Sequence, residues 1–208
     1  MTDHRPEHHP DHDGDHVVDP DLVGDDLETD PALAAAVLEI EGHVADGGWD
    51  QSGRLFALVE TARLVEREPS LAAHAGLDDA SAAGSLTPIE QDQLPQERPL
   101  EEMLAEMAWP DEVSGCVAVV ERLVLPPGAD GELPEDPAEA EAFARAHPDR
   151  QEVRMVAGVT RAGATYCALR LRAHDDDQSV VTGSDLVPGL VELVRSTLDD
   201  RTDEEQAP

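Results

Sequence analysis

Two runs in which alternate residues are apolar, Val153-Met155-Ala157-Val159 and Cys167-Leu169-Leu171, stand either side of Arg161-Ala162-Gly163 and constrain this chain most. Period-two alternation marks half-buried strands, and a short glycine-containing join between two such runs marks an antiparallel hairpin. A two-residue turn at Ala162-Gly163 would put Met155 and Val159 on the face of Arg170 and Tyr166, mixing core with surface. A three-residue loop, Arg161 to Gly163, instead pairs Val153 with Leu171, Met155 with Leu169 and Ala157 with Cys167. The second register is expected. A one-residue slip turns every side chain to the wrong face, and Gly163 suits the left-handed position of such a loop.

This register also orders the opposite face, where Glu152 opposes Arg172, Arg154 opposes Arg170 and Gly158 opposes Tyr166. From Gln151 to Ala173 four arginines (Arg154, Arg161, Arg170, Arg172) meet one acid, a local charge of +3 in a 208-residue chain of net charge -33. Arg154, Arg170 and Arg172 project to one side. Neighbouring guanidinium groups need compensating anions, supplied by the protein's own carboxylates or by a partner. These three are the candidate anion- or partner-binding residues.

Upstream, Asp30 and Pro31 suit the cap and first turn of a helix whose apolar face is Leu33, Val37, Ile40 and Val44, stopped by Gly47-Gly48. Leu55, Leu58, Val59, Ala62 and Val65 fit a second helix from Ser52 to Glu68, giving an antiparallel helical hairpin with Trp49 and Phe56 at its closed end. Ser70 to Ala75 reads as a further helical turn. Thr87-Pro88-Ile89-Glu90 has the capping-box pattern of a short helix, and another spans Pro99 to Ala108. Gly115 to Leu125 reads as a strand, and Asp136-Pro137 starts a helix through Ala146. After the hairpin come a short fourth strand near Ser179 to Thr182 and a last helix from Asp185 to Leu198, capped by Ser184.

The expected fold is therefore α+β: an N-terminal helical hairpin and short helices, then a small, mostly antiparallel sheet of three to four strands covered by helices on one face. Residues 32–198 form one domain. Residues 1–31, acidic and histidine-rich, and the acidic residues 199–208 read as disordered tails, because they bury too little to offset chain entropy. Removing them leaves -19 on the domain.

Composition then excludes chemistries. The chain has no lysine, hence no Schiff base, no P-loop lysine and no kinase ATP lysine; it has no asparagine, hence no N-glycosylation sequon. A high-GC genome accounts for both absences. The net charge excludes phosphate-neutralising contact with nucleic acid. No signal peptide or membrane-spanning run is seen, so the chain is expected to be cytoplasmic. Cys116 and Cys167 read as free buried thiols. No G-x-S-x-G, G-x-G-x-x-G, H-E-x-x-H or C-x-x-C occurs, and no cofactor is expected.

Two segments carry metal-ligand residue types. His4, His8, His9, His12 and His16 lie in the first tail among aspartates, at spacings that match no defined site. His174-Asp175-Asp176-Asp177 follows the second hairpin strand, and three adjacent carboxylates could be stabilised by Mg²⁺ or Ca²⁺. Consecutive side chains in a loop rarely converge on one ion, so a solvated acidic turn is the simpler reading.

Gly48-Trp49-Asp50-Gln51, Arg54-Leu55-Phe56-Ala57-Leu58, Ala108-Trp109-Pro110-Asp111, Glu121 to Pro127, and His174 to Asp177 with Gly183 to Gly189 together resemble an uncharacterised actinobacterial family known from structural-genomics work. The resemblance covers about residues 32–198. It implies a single bacterial cytoplasmic domain, lowers the expectation of an enzyme, and carries over no activity, cofactor or catalytic residue.

The reading expected from the sequence is a non-catalytic protein-interaction or regulatory module, with an acidic protein or small anion as partner and neither nucleic acid nor membrane. The competing reading is a metal-dependent hydrolase or phosphoryl-handling enzyme that uses His174, Asp175, Asp176 and Asp177 with the arginines. The charge yields one prediction. The melting temperature of the 32–198 fragment should rise from low salt to ~0.2 M as repulsion is screened, and a flat profile would contradict this.

Overall fold

The computed structural model describes residues 29–78, 82–91, 98 and 100–199. Both expected tails, with the five tail histidines, lie outside the described residues except for Thr29 to Pro31 and Asp199.

The architecture is α+β, built on one six-stranded antiparallel sheet in the order β2-β1-β3-β4-β5-β6. In chain order the elements are α1 (Pro31–Asp46), β1 (Arg54–Glu60), α2 (Thr61–Arg67), α3 (Pro69–His74), β2 (Leu86–Glu90), α4 (Leu100–Glu106), β3 (Gly115–Val124), α5 (Pro137–Ala146), β4 (Gln151–Thr160), β5 (Thr165–Leu171), β6 (Val181–Gly183) and α6 (Pro188–Ser196). No helix among the described residues is long and apolar enough to cross a membrane.

The β4–β5 hairpin has the three-residue loop, pairing Val153 with Leu171, Arg154 with Arg170 and Ala157 with Cys167. Gly163 takes the left-handed conformation at φ 93°. The first helix is also as expected: the Asp30 carboxylate accepts from the Ala32 and Leu33 backbone N–H groups, and Pro31 opens the helix.

The expected helical hairpin is overturned. Residues 54–60 are a strand, and only Thr61–Arg67 of the predicted second helix is helical. Leu55, Phe56, Ala57 and Leu58 are all buried because both faces of β1 are covered, Leu55 and Ala57 on one side and Phe56 and Leu58 on the other. Such a continuous apolar run has no strand period, and it also fits a helical template. Thr87 to Glu90 likewise lies in edge strand β2 and caps no helix; an edge has only one ladder to satisfy, so Pro88 is tolerated. These two strands carry the sheet from the expected three or four to six.

Helices cover both faces, correcting the one-sided expectation. On one face α1 packs Leu33, Val37, Ile40 and Val44 against Phe56, Leu58, Val117, Val119, Val156 and Ala168. On the other, Leu100 and Leu104 of α4 and Val191 and Val194 of α6 cover Leu55, Ala57, Cys116, Ala118, Ala157, Val159 and Cys167. Both cysteines are free and buried, and burial pushes the Cys116 thiol up to about 11. The last helix begins at Pro188, with Val187 at its cap position, so Ser184 does not cap it. Ser184 is held outside the helix, its carbonyl accepting from the Thr165 hydroxyl.

Gly158 sets the spacing between α1 and the sheet. A Cβ there would stand 2.6 Å from Val37 Cγ2 and 3.0 Å from Leu33 Cδ1, and a helical valine has one favoured rotamer with which to give way. Gly158→Ala should destabilise the fold by about 1–3 kcal/mol in urea denaturation. An unchanged midpoint would show that α1 can back away without loss.

Candidate functional site

The three arginines of the hairpin share the α1 face of the sheet, where each meets carboxylates of this chain. Arg154 on β4 and Arg170 on β5 are direct cross-strand partners, and Glu121 on β3 lies opposite Arg154. Arg154 is 0% exposed and Arg170 3%. Burial at this depth requires pairing, because an unpaired charge away from water is very costly.

Arg170 is paired through α1. Its Nε and Nη2 donate to Glu41 Oε1 and Oε2 at 2.6 and 2.8 Å, and Glu41 is itself 3% exposed. Glu41 sits inside the apolar stripe, four residues after Val37 and three before Val44, so helical geometry aims it at the sheet. A charged residue inside an apolar stripe was the available sign of this site. Arg170 also donates to Asp177 at 2.7 Å and Asp175 at 3.4 Å.

Arg154 donates through Nε and Nη2 to Glu121 Oε1 at 3.2 and 2.8 Å, and through Nη2 to the Gly48 carbonyl. The other Glu121 oxygen accepts the backbone N–H groups of Asp50, at 2.8 Å, and Gln51. Arg172 forms a bidentate pair with Asp50, both contacts at 2.9 Å, and donates to Glu152 at 2.5 Å. Those hydrogen bonds hold the Asp50 carboxyl below its ordinary range, so the pair persists at neutral pH and is lost only as pH falls into acid.

Trp49 joins the three. The Arg154 and Arg172 guanidinium carbons lie 4.5 and 5.6 Å from its ring centroid, within cation–π range, and its indole N–H donates to Asp175 at 2.8 Å. It is thus no core anchor, whereas Trp109 packs against the α4–α6 core and donates to Thr197 at 3.0 Å.

The sequence candidates divide accordingly. Arg154 and Arg170 were expected to meet either the protein's own carboxylates or a partner's; α1 and the Trp49 loop cover them, and internal carboxylates match them. Arg172 alone of the three reaches the surface, its side chain 40% exposed. Asp175 and Asp177 point to Arg170, while Asp176 turns away to cap a short turn, accepting from the Gln178 N–H and the Ser179 hydroxyl. His174 lines a shallow groove of about 350 Å³ with Arg150, Gln151, Glu152, Leu171, Arg172 and Ala173. Among the described residues, no three His, Cys, Asp or Glu side chains are grouped to hold a metal ion. Glu121, Trp49 and Asp50 were missed because only the tertiary fold brings them to the arginines; Glu41 was missed although its place in the apolar stripe marked it.

A larger cleft, about 650 Å³, lies at the hairpin end of the sheet, bordered by Asp30, Glu60, Arg63, Asp111 and Arg161. Arg161 there binds carbonyls, donating to Val113 and Trp109 at 2.9 Å and also to Leu198, which ties the end of α6 to the sheet.

Fold and site define an α+β protein in which a two-sided antiparallel sheet encloses an arginine–carboxylate cluster clasped to a tryptophan loop. A family model described as PPA1309-like protein matches residues 33–199, nearly the span of the resemblance, and the chain belongs to that family. Its description states no activity. No curated protein and no solved structure matches the chain.

Pair burial separates the variants here. Glu41→Gln, which leaves Arg170 buried without its bidentate partner, should cost on the order of 3 kcal/mol. Asp177→Ala, at a side chain 93% exposed, should cost under about 1 kcal/mol. Equal losses in chemical denaturation would refute this division.

Proposed function

We propose that the protein is a non-catalytic interaction or regulatory module that meets an acidic segment of a partner protein at the groove of Arg150, Arg172 and His174. The observation that carries this reading is the division among the three arginines. Two are buried against internal carboxylates, while the third, though paired with Asp50 and Glu152, is 40% exposed and lines a groove with two further basic side chains, Arg150 and His174, and one acid, Glu152. A guanidinium at a groove mouth favours carboxylate through its planar pair of donors.

The hydrolase reading is less well supported. It asks Asp175 and Asp177 to attract a cation, yet Arg170 donates to both and Trp49 to Asp175, so the repulsion that would draw in a metal ion is already relieved.

Titrating the full chain with a capped triglutamate peptide and following backbone amide NMR shifts tests the reading. Shifts should concentrate at residues 150–152 and 171–174. No shifts, or shifts gathered at the 650 Å³ cleft, would remove it.

A further inference from the structure

We propose that Asp50 is a built-in occupant of an anion seat on Arg172, and that the seat accepts a carboxylate of an acidic peptide when the loop from Gly47 to Gly53 swings away. This rests on the groove reading and says how the site is controlled.

Three features of the loop support it. Asp50 is the only non-glycine residue with positive φ among the described residues, at 65°, a conformation that aspartate adopts at a cost. Its side chain is 75% exposed, yet both carboxylate oxygens sit on the two terminal Arg172 nitrogens, the bidentate geometry that a ligand carboxylate would adopt. The loop belongs to neither apolar core. Glu121, Arg154, Arg172 and Asp175 hold it by hydrogen bonds and ion pairs, the Gln51 amide donates to the Val44 carbonyl at the end of α1, and Gly47, Gly48 and Gly53 lie within it. The contacts to Asp175 and Arg172 are polar and exposed, and such contacts open at lower cost than packed apolar ones.

A fourth observation concerns what the loop covers. Arg154 Nη1 is the one buried side-chain nitrogen or oxygen without a hydrogen-bond partner among the described residues. A buried guanidinium N–H without an acceptor demands an explanation. Its guanidinium lies against the same Trp49 ring as Arg172, so lifting Trp49 uncovers a second donor beside the seat. The ligand carboxylate replaces Asp50 on Arg172 and offers an oxygen to Arg154. Asp50, released, returns to water.

Asp50→Asn tests this cleanly, because asparagine tolerates positive φ at least as well as aspartate but cannot form the ion pair. The capped triglutamate peptide is titrated calorimetrically into full-length wild type, Asp50→Asn, Asp50→Asn/Arg172→Gln, and Glu139→Gln. The last removes one acid from the exposed start of α5 and so measures the bare charge effect. Asp50→Asn should bind at least about tenfold tighter than wild type, as expected when the competent state is populated below ~10%. Adding Arg172→Gln should abolish the gain, and peptide should move the Trp49 indole resonance, one of two in the protein. A gain no larger than that of Glu139→Gln, or one that survives Arg172→Gln, overturns the seat. If wild type still binds at the groove in that case, the interaction reading stands alone; binding in no variant overturns both.

Discussion

The ion pair between Arg170 and Glu41 governs the rest of the arrangement. A guanidinium and a carboxylate that are each 3% exposed must meet within hydrogen-bond distance, which fixes the rotation and height of α1 over β5. Apolar packing alone fixes them less tightly, since valine and leucine contacts tolerate small slides. With α1 seated, its end at Gly47 delivers the Trp49 loop above Arg154, and the same Arg170 holds the Asp175–Asp177 segment. Three stretches far apart in sequence thus share one charge cluster. Its carboxylates outnumber its arginines, so the cluster adds no positive face to an acidic protein.

Legibility in the sequence followed the strength of periodicity. The β4–β5 register was readable because its alternation is strict and Gly163 admits one loop. The first helix was readable because its cap, its proline and its apolar stripe agree. β1 was not, since Leu55 to Leu58 are buried on two faces and carry no alternation to contradict a helix. β2 was hidden by Pro88, whose place on an edge depends on sheet order. The arginines were legible as residues that require anions, but which anions depended on strands and a helix whose positions a linear pattern does not contain. Glu41 was the exception left unused, an acid in the middle of an apolar stripe.

The site combines two kinds of charge. Arg154 and Arg170 are structural, held where water cannot relieve them, and their partners come from rigid elements and the loops that pack there. Arg172 sits at the boundary, with one side toward the cluster and one toward the groove. In the proposed seat, a residue so placed would transmit the state of the groove to the loop, because the guanidinium that would receive an incoming carboxylate also holds Asp50. Such a coupling would need no long chain of contacts, only competition between two carboxylates for one guanidinium.

The charge balance then narrows the partner. The folded region carries -19, and two of its arginines are buried, so an approaching polyanion meets a net repulsive field. Attraction at Arg172 and repulsion by the acids are screened over the same Debye length, ~8 Å at physiological salt, but the acids are far more numerous. A partner acidic throughout would lose more on approach than one groove returns. The proposed partner would carry a short acidic segment on an otherwise neutral or basic body, its basic surroundings facing the acidic surface while one carboxylate enters the seat.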